Sequence, residues 1–200
     1  MTTARDLAIV ALGVPPDRPV EQGDLSLALA GAEVFDLVEA EALVVDGDLV
    51  VPGAQAPTGD RLLDEAVGAL KRQEPYESVE DWLWRRGRGL SSAYVDDLAR
   101  AGLTAPPRRR NPLRTGPTKP VDSAVRRRAE ERWAAGEPVL AALASAVGIR
   151  DAPAEDAPEL AADAVAAVLA AVGDAVQELG AVRQRRAIED SAFDNIWRGY

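Results

Sequence analysis

Ala56-Pro57-Thr58-Gly59-Asp60-Arg61-Leu62-Leu63-Asp64-Glu65-Ala66 decides how this chain is read. The proline holds the residue before it out of the helical region. Beyond it, Thr58 or Asp60 can cap the free amides of a new helix, and Asp60, Asp64 and Glu65 stand near that helix's positive end. Leu63, Val67 and Leu70 recur at helical spacing, so one face of Arg61 to Leu70 is meant for burial. The stretch reads as a strand-to-helix corner. Before it, Leu43-Val44-Val45 and Leu49-Val50-Val51 flank Asp46-Gly47-Asp48, a hairpin signal in which glycine accepts the positive φ of the turn.

Outward from this corner the pattern is helical. Thr3 to Leu12 reads as a short helix, and Val14 to Gly23, with Pro15, Pro16 and Pro19, as a loop. Asp24 is expected to cap an apolar helix over Leu25 to Ala42, with Gly31 between Ala30 and Ala32 leaving room for a second helix to approach. On the other side, Ser78 caps a helix carrying Trp82, Leu83 and Trp84, and Ser91 or Ser92 starts another that ends at Gly102. Pro106 to Pro120, with one large aliphatic residue (Leu113), reads as an exposed basic loop or edge hairpin. Asp122 is expected to start a helix through Trp133, and Glu137 to Val147 forms another, stopped at Gly148. From Glu159 a long helix follows, with Leu160, Val165, Val168, Val172, Val176 and Leu179 in one stripe; Phe193, Ile196 and Trp197 are expected to dock back. The fold class is therefore mainly α, a single helical domain over residues 1–200 with one or two short hairpins.

Composition bounds the chemistry. The 200 residues are 47% hydrophobic and only 4% aromatic, so the core must rest on aliphatic helix packing. There is no cysteine and no histidine. That excludes disulfides, Cys/His zinc sites, cysteine nucleophiles and every imidazole base. Met1 to Asp6 lacks the basic start of a signal peptide. Asp163, Asp174 and Glu178 interrupt the alanine-rich stretch from Leu160 to Leu179, which reads as too charged to span a bilayer. The expected location is cytoplasmic, with any membrane contact peripheral.

The formal charge of −10 is unevenly distributed. Arg85 to Arg132 holds thirteen basic residues against five acidic ones, a net of +8, which leaves −18 for the rest. Such a field speaks about partners. Arg85, Arg86 and Arg88 flank Trp84, which shares no helix face with Trp82. If Trp82 is the core residue, Trp84 stands beside the arginines, an arrangement suited to a phosphate or the headgroup level of a membrane. The plain alternative is that Trp84 covers a neighbouring loop and the arginines are solvated. Arg108, Arg109, Arg110 and Arg114 form a polybasic patch suited to an anionic leaflet. Nucleic acid is not the expected partner, because no stacking aromatics are interleaved with them. Arg126 to Arg128 point in three directions and pair in part with Glu130 and Glu131.

The run from Leu27 to Leu103 resembles the Golgi phosphoprotein 3 family, as found in its bacterial members. Leu29-Ala30-Gly31-Ala32 with Asp36-Leu37 is similar to that family's first buried helix, and Leu43 to Val51 to the hairpin after it. Ala56 to Asp60 with Leu62 to Ala66 matches the family signature almost letter for letter. Trp82 and the Leu98 to Leu103 ending complete the likeness. The resemblance implies a mostly helical fold and non-catalytic binding of phosphatidylinositol 4-phosphate at a membrane. It also implies headgroup contacts at positions that fall on Glu21, Ala30, Arg88 and Ser91, of which Arg88 alone is basic. The segment that inserts into the bilayer in the family corresponds here to Pro106 to Pro120.

Three functions stay open on the residues. The first is peripheral binding of anionic phospholipid through Arg85, Arg86, Arg88 and Trp84, helped by Arg108 to Arg110 and Arg114. The second is a soluble scaffold for a protein partner, and either can accompany a homo-oligomer. The third is metal-dependent catalysis on Asp60, Asp64 and Glu65, whose acids capping and dipole stabilisation already explain. No phosphate loop and no activated nucleophile is present. The chain is expected to be no enzyme, with no cofactor and no metal.

Overall fold

The computed structural model describes residues 2–15, 20–105, 119–120, 122–149 and 162–198. It is mainly α. Helix α2 (Gln22–Glu39) runs through the middle and packs against α1 (Thr3–Gly13), α3 (Arg61–Ala69), α4 (Val79–Arg86), α5 (Leu90–Arg100), α7 (Pro138–Ala146) and α8 (Ala162–Arg198). The remaining helix, α6 (Ala124–Ala134), packs on α1. Because α2 has neighbours on every side, Leu27, Ala28, Leu29, Ala30, Ala32, Val34 and Leu37 are all buried. Gly31 has the role its small neighbours suggest. A Cβ there would lie 2.5 Å from Val172 Cγ2 on α8. Only glycine lets that pair of helices come so close.

The hairpin forms as expected: β1 (Leu43–Asp46) pairs antiparallel with β2 (Leu49–Pro52), and Gly47 turns the corner at φ +62°. A third strand, β3 (Glu77–Ser78), pairs with β2. It has no alternation to be recognised by, since two residues cannot carry a period. At the signature corner Asp60 is the cap, accepting from the amides of Leu62 and Leu63. Thr58 is held instead by Asp64, through its amide (2.7 Å) and its hydroxyl (2.8 Å). The β4 (Thr104–Ala105) and β5 (Lys119–Pro120) ladder joins the two ends of the proline-rich basic segment. Arg108, Arg109, Arg110 and Arg114 lie outside the described residues.

Three helix starts and the end of the chain differ from the sequence reading. Helix α2 starts at Gln22, with Glu21 at its cap position and making no side-chain capping bond. Asp24 sits inside the first turn and is taken by Arg183. Helix α5 starts at Leu90 behind Gly89, which adopts φ +72°, so neither Ser91 nor Ser92 is the cap. Ser123, not Asp122, caps α6. The end of the chain does not form a separate returning element: residues 193 to 198 continue α8.

By length and composition helix α8 suits a bilayer, which corrects the reading of its alanine-rich stretch as too charged to span one. Asp163–Asp190 is long and apolar enough to cross one, with mean hydropathy 1.6 in its best window, of which 17% is buried. In the fold it lies against α2, α4 and α7, burying Val168, Val172 and Ala175. The expected stripe is thus real over its middle, while Val165, Val176 and Leu179 are half-buried and Leu160 lies outside the described residues.

Asp36 fastens α1 to α2. Its carboxylate accepts from the amides of Thr3 (2.7 Å) and Ala4 (2.9 Å), capping α1 from another helix. Burial is the strongest influence on this carboxyl and raises its pKa from 3.8 to about 6, against the two amides, which lower it. With the folded value above the unfolded one, the group's contribution to stability is full below pH 3.8 and fades as pH rises through about 6. Compared with Asp36→Asn, the wild type should therefore lose up to about 3 kcal/mol of stability between pH 4 and pH 7 in urea unfolding. A difference between the two proteins that does not move with pH would overturn this assignment.

Candidate functional site

The candidate site is built around the corner between α4 and α5. Helix α4 is capped by Ser78, which accepts from the Asp81 amide, and it ends at Gly87. A Cβ on Gly87 would lie 2.6 Å from the Leu83 carbonyl oxygen and 3.2 Å from that of Ser26, so glycine allows the corner to press on α2. Ser26 Oγ accepts from the buried Ser91 amide at 3.1 Å and fixes the contact. The result is a cleft of about 310 Å³ lined from three elements. Helix α2 gives Gln22, Gly23, Ser26 and Leu27; the corner gives Trp84, Gly87, Arg88, Gly89, Ser91 and Ser92; α8 gives Leu179. Helix α5 begins here with no acid in its first turn, although its Leu90 and Ser91 amides are already taken by the Gly87 carbonyl and by Ser26, so what it offers an anion is chiefly its dipole.

The four residues singled out at this corner have different fates. Arg88 is exposed, lines the cleft, and has no carboxylate partner among the described residues. Trp84 is half-buried against the core and lines the same cleft, so it neither points freely outward nor disappears into the interior. Arg85 turns away: it forks onto Glu77 with two bonds of 2.6 Å, donates to the Ala69 carbonyl at 3.1 Å, and lies 5.2 Å over the Trp82 ring. Arg86 faces inward, which removes it from the surface set. Its Nε and Nη2 hold the two oxygens of Glu33 at 2.7 and 2.8 Å, and Nη2 also reaches the Leu62 carbonyl at 3.0 Å.

Glu33 is fully buried, and the Tyr94 hydroxyl donates to it at 3.1 Å. Burial pushes its carboxyl pKa up, opposed by the Arg86 fork and the Tyr94 bond. The same pairing recurs along the basic segment. Arg100 meets Asp97, Arg126 meets Glu130, Arg127 meets Asp122, and Arg132 bridges Asp6 and Glu137. Arg128 is exposed and, like Arg88, lacks an acidic partner among the described residues. The broad positive field expected from the sequence is thus largely neutralised where the structure describes it.

The other positions carried by the resemblance are also placed. Ala30 is buried, and its carbonyl accepts from Trp82 Nε1 at 3.4 Å. Ser91 is buried beside Ser26, and Glu21 is exposed ahead of α2. The acids considered for a metal all have other work. Asp60 caps α3 and meets Arg5 at 3.3 Å, Asp64 binds Thr58, and Glu65 pairs with Arg61. Among the described residues no group of three or more acids is arranged to hold a metal ion. The contributions of Gln22, Gly23 and Ser26 and of Leu179 escaped the sequence reading. Only the small residues at 23 and 26, one turn apart at a helix start, hinted at close packing there.

A model of the Golgi phosphoprotein 3 (GPP34) family matches residues 4–190. The chain belongs to the Golgi phosphoprotein 3 family. Among curated proteins no match is found. Membership covers the C-terminal helices as well as the signature region, and it is consistent with lipid binding in general.

The placement of Arg86 has a measurable consequence. Arg86→Met would leave Glu33 without its cation in the interior, forced to take up a proton or bear an unanswered charge, and should destabilise the protein by about 3–5 kcal/mol in urea unfolding at pH 7. Adding Glu33→Gln should recover part of that loss. Unchanged stability in the single variant would mean that the pair does not organise the core.

Proposed function

We propose that this cleft receives the anionic headgroup of a phospholipid, phosphatidylinositol 4-phosphate or a close analogue, and that the protein is a non-catalytic, peripheral membrane-binding module of the cytoplasm. The observation that carries the reading is Arg88, an exposed guanidinium without an acidic partner among the described residues, in a cleft beside Trp84 and the start of α5. A phosphate there would meet a charge-assisted fork, the favourable dipole of α5 and an aromatic wall. Family membership and the largely unburied apolar surface of α8, which lines the cleft through Leu179, add support. The basic segment with Arg108, Arg109, Arg110 and Arg114 would strengthen attachment, at about 1 kcal/mol per residue near an anionic surface.

A second reading has one observation in its favour. Six arginines, at 85, 86, 100, 126, 127 and 132, are paired within the molecule, which leaves fewer cations for a membrane. A scaffold for a protein partner needs no such cations.

Flotation of the full chain with phosphatidylcholine vesicles, with and without phosphatidylinositol 4-phosphate, separates the two. Binding should require the anionic lipid, weaken with salt, and fall about tenfold in Arg88→Glu while the melting temperature stays unchanged. Absence of vesicle binding, or binding indifferent to Arg88→Glu, would overturn the lipid reading.

A further inference from the structure

We propose that Arg183, on α8, is a second phosphate-binding cation of this cleft, working opposite Arg88. The inference rests on the cleft being an anion site, as argued above, and assigns to that site a residue from an element far away in the chain. Leu179 lines the cleft, and Arg183 follows it by four residues, so both stand on one side of α8. The guanidinium reaches the first turn of α2, with Nη1 2.8 Å from Asp24 Oδ1 and Nη2 2.7 Å from Asp24 Oδ2. It lies beside the cleft: a Cβ on Gly23, itself a lining residue, would be 2.7 Å from Leu179 Cδ2 and 4.0 Å from Arg183 Nη1. The glycine is what lets α8 bring this cation so near.

Binding Asp24 does not exhaust the group. A guanidinium has five N–H donors, and the Asp24 fork uses two of them. The Nε proton and one proton on each Nη remain, with no other acceptor among the described residues, on a side chain 39% exposed. A phosphate monoester carries between one and two negative charges near neutral pH. Arg88 is the one cation among the residues lining the cleft, and Arg183 would complete a two-sided clamp. Glu21, just ahead of α2, interacts with Arg183 and opposes any anion there. The ligand chemistry is therefore a phosphate monoester on a polyol, either a lipid headgroup or a free sugar phosphate.

The test uses the full chain, phosphatidylcholine vesicles containing phosphatidylinositol 4-phosphate, and soluble inositol 1,4-bisphosphate measured by calorimetry. Arg183→Ala should weaken binding about tenfold in both arms, and Arg183→Lys should recover part of it. Asp24→Asn removes the same fork but keeps the cation, so it should bind as well as the wild type or better. Glu21→Gln should bind more tightly. If the wild type binds neither probe, the site itself is refuted. If the wild type binds and Arg88→Glu does not, but Arg183→Ala matches the wild type, only this inference is overturned. It is also overturned if Asp24→Asn loses as much as Arg183→Ala, since the role would then be structural. Dependence on Arg183 with vesicles alone would equally refute it, placing the residue on the bilayer surface and not in the cleft.

Discussion

A carboxylate in the centre of a helical core must be answered, and Glu33 is answered twice. Arg86 closes on it with a two-pronged fork and Tyr94 adds a hydroxyl, which ties α4 and α5 to the middle of α2. Isolated, such a charge would be intolerable in an interior of aliphatic side chains. Because the fork is directional, it also sets how α4 lies on α2. The corner that follows α4 inherits that placement. Arg88 lies two residues beyond Arg86, on the far side of Gly87, so the inward arginine positions the outward one.

The surrounding elements repeat the principle with weaker groups. Asp36 caps α1 from α2, Asp97 gathers Arg5, Arg61 and Arg100, and Asp24 holds Arg183. Each is a single carboxylate joining helices that aliphatic packing alone would leave free to slide. In a core with few aromatic side chains and much alanine, packing supplies burial but little directional information, and these pairs supply the direction. The shape of the cleft depends on one of them above all, Glu33 with Arg86.

What could be read from the chain beforehand was local. The Asp60 cap, the Gly47 turn, the Ser78 cap and the C-terminal glycine of α5 all use partners within a few residues, and each stands where expected. Gly31 was legible because small residues flank it inside an apolar helix. The pairing of Arg126 with Glu130, four residues on, was legible too, but that of Arg86 and Arg132 was not, since a run of basic residues looks the same whether it faces water or acids more than fifty positions away. Arg86 finds Glu33 across 53 residues and Arg132 finds Asp6 across 126. The cleft was half legible: Arg88 and Trp84 lie together in the sequence, while Gly23, Ser26 and Leu179 arrive by tertiary packing.

The contact of Val172 with Gly31 also has a bearing on how the chain is made. Residue 31 leaves the ribosome long before residue 172, so the flank of α2 that will accept α8 stays bare through most of translation. During that interval a sticky aliphatic groove is offered to whatever is nearby. The nascent protein must either tolerate that exposure or be shielded by another molecule until its late-arriving cover settles into place.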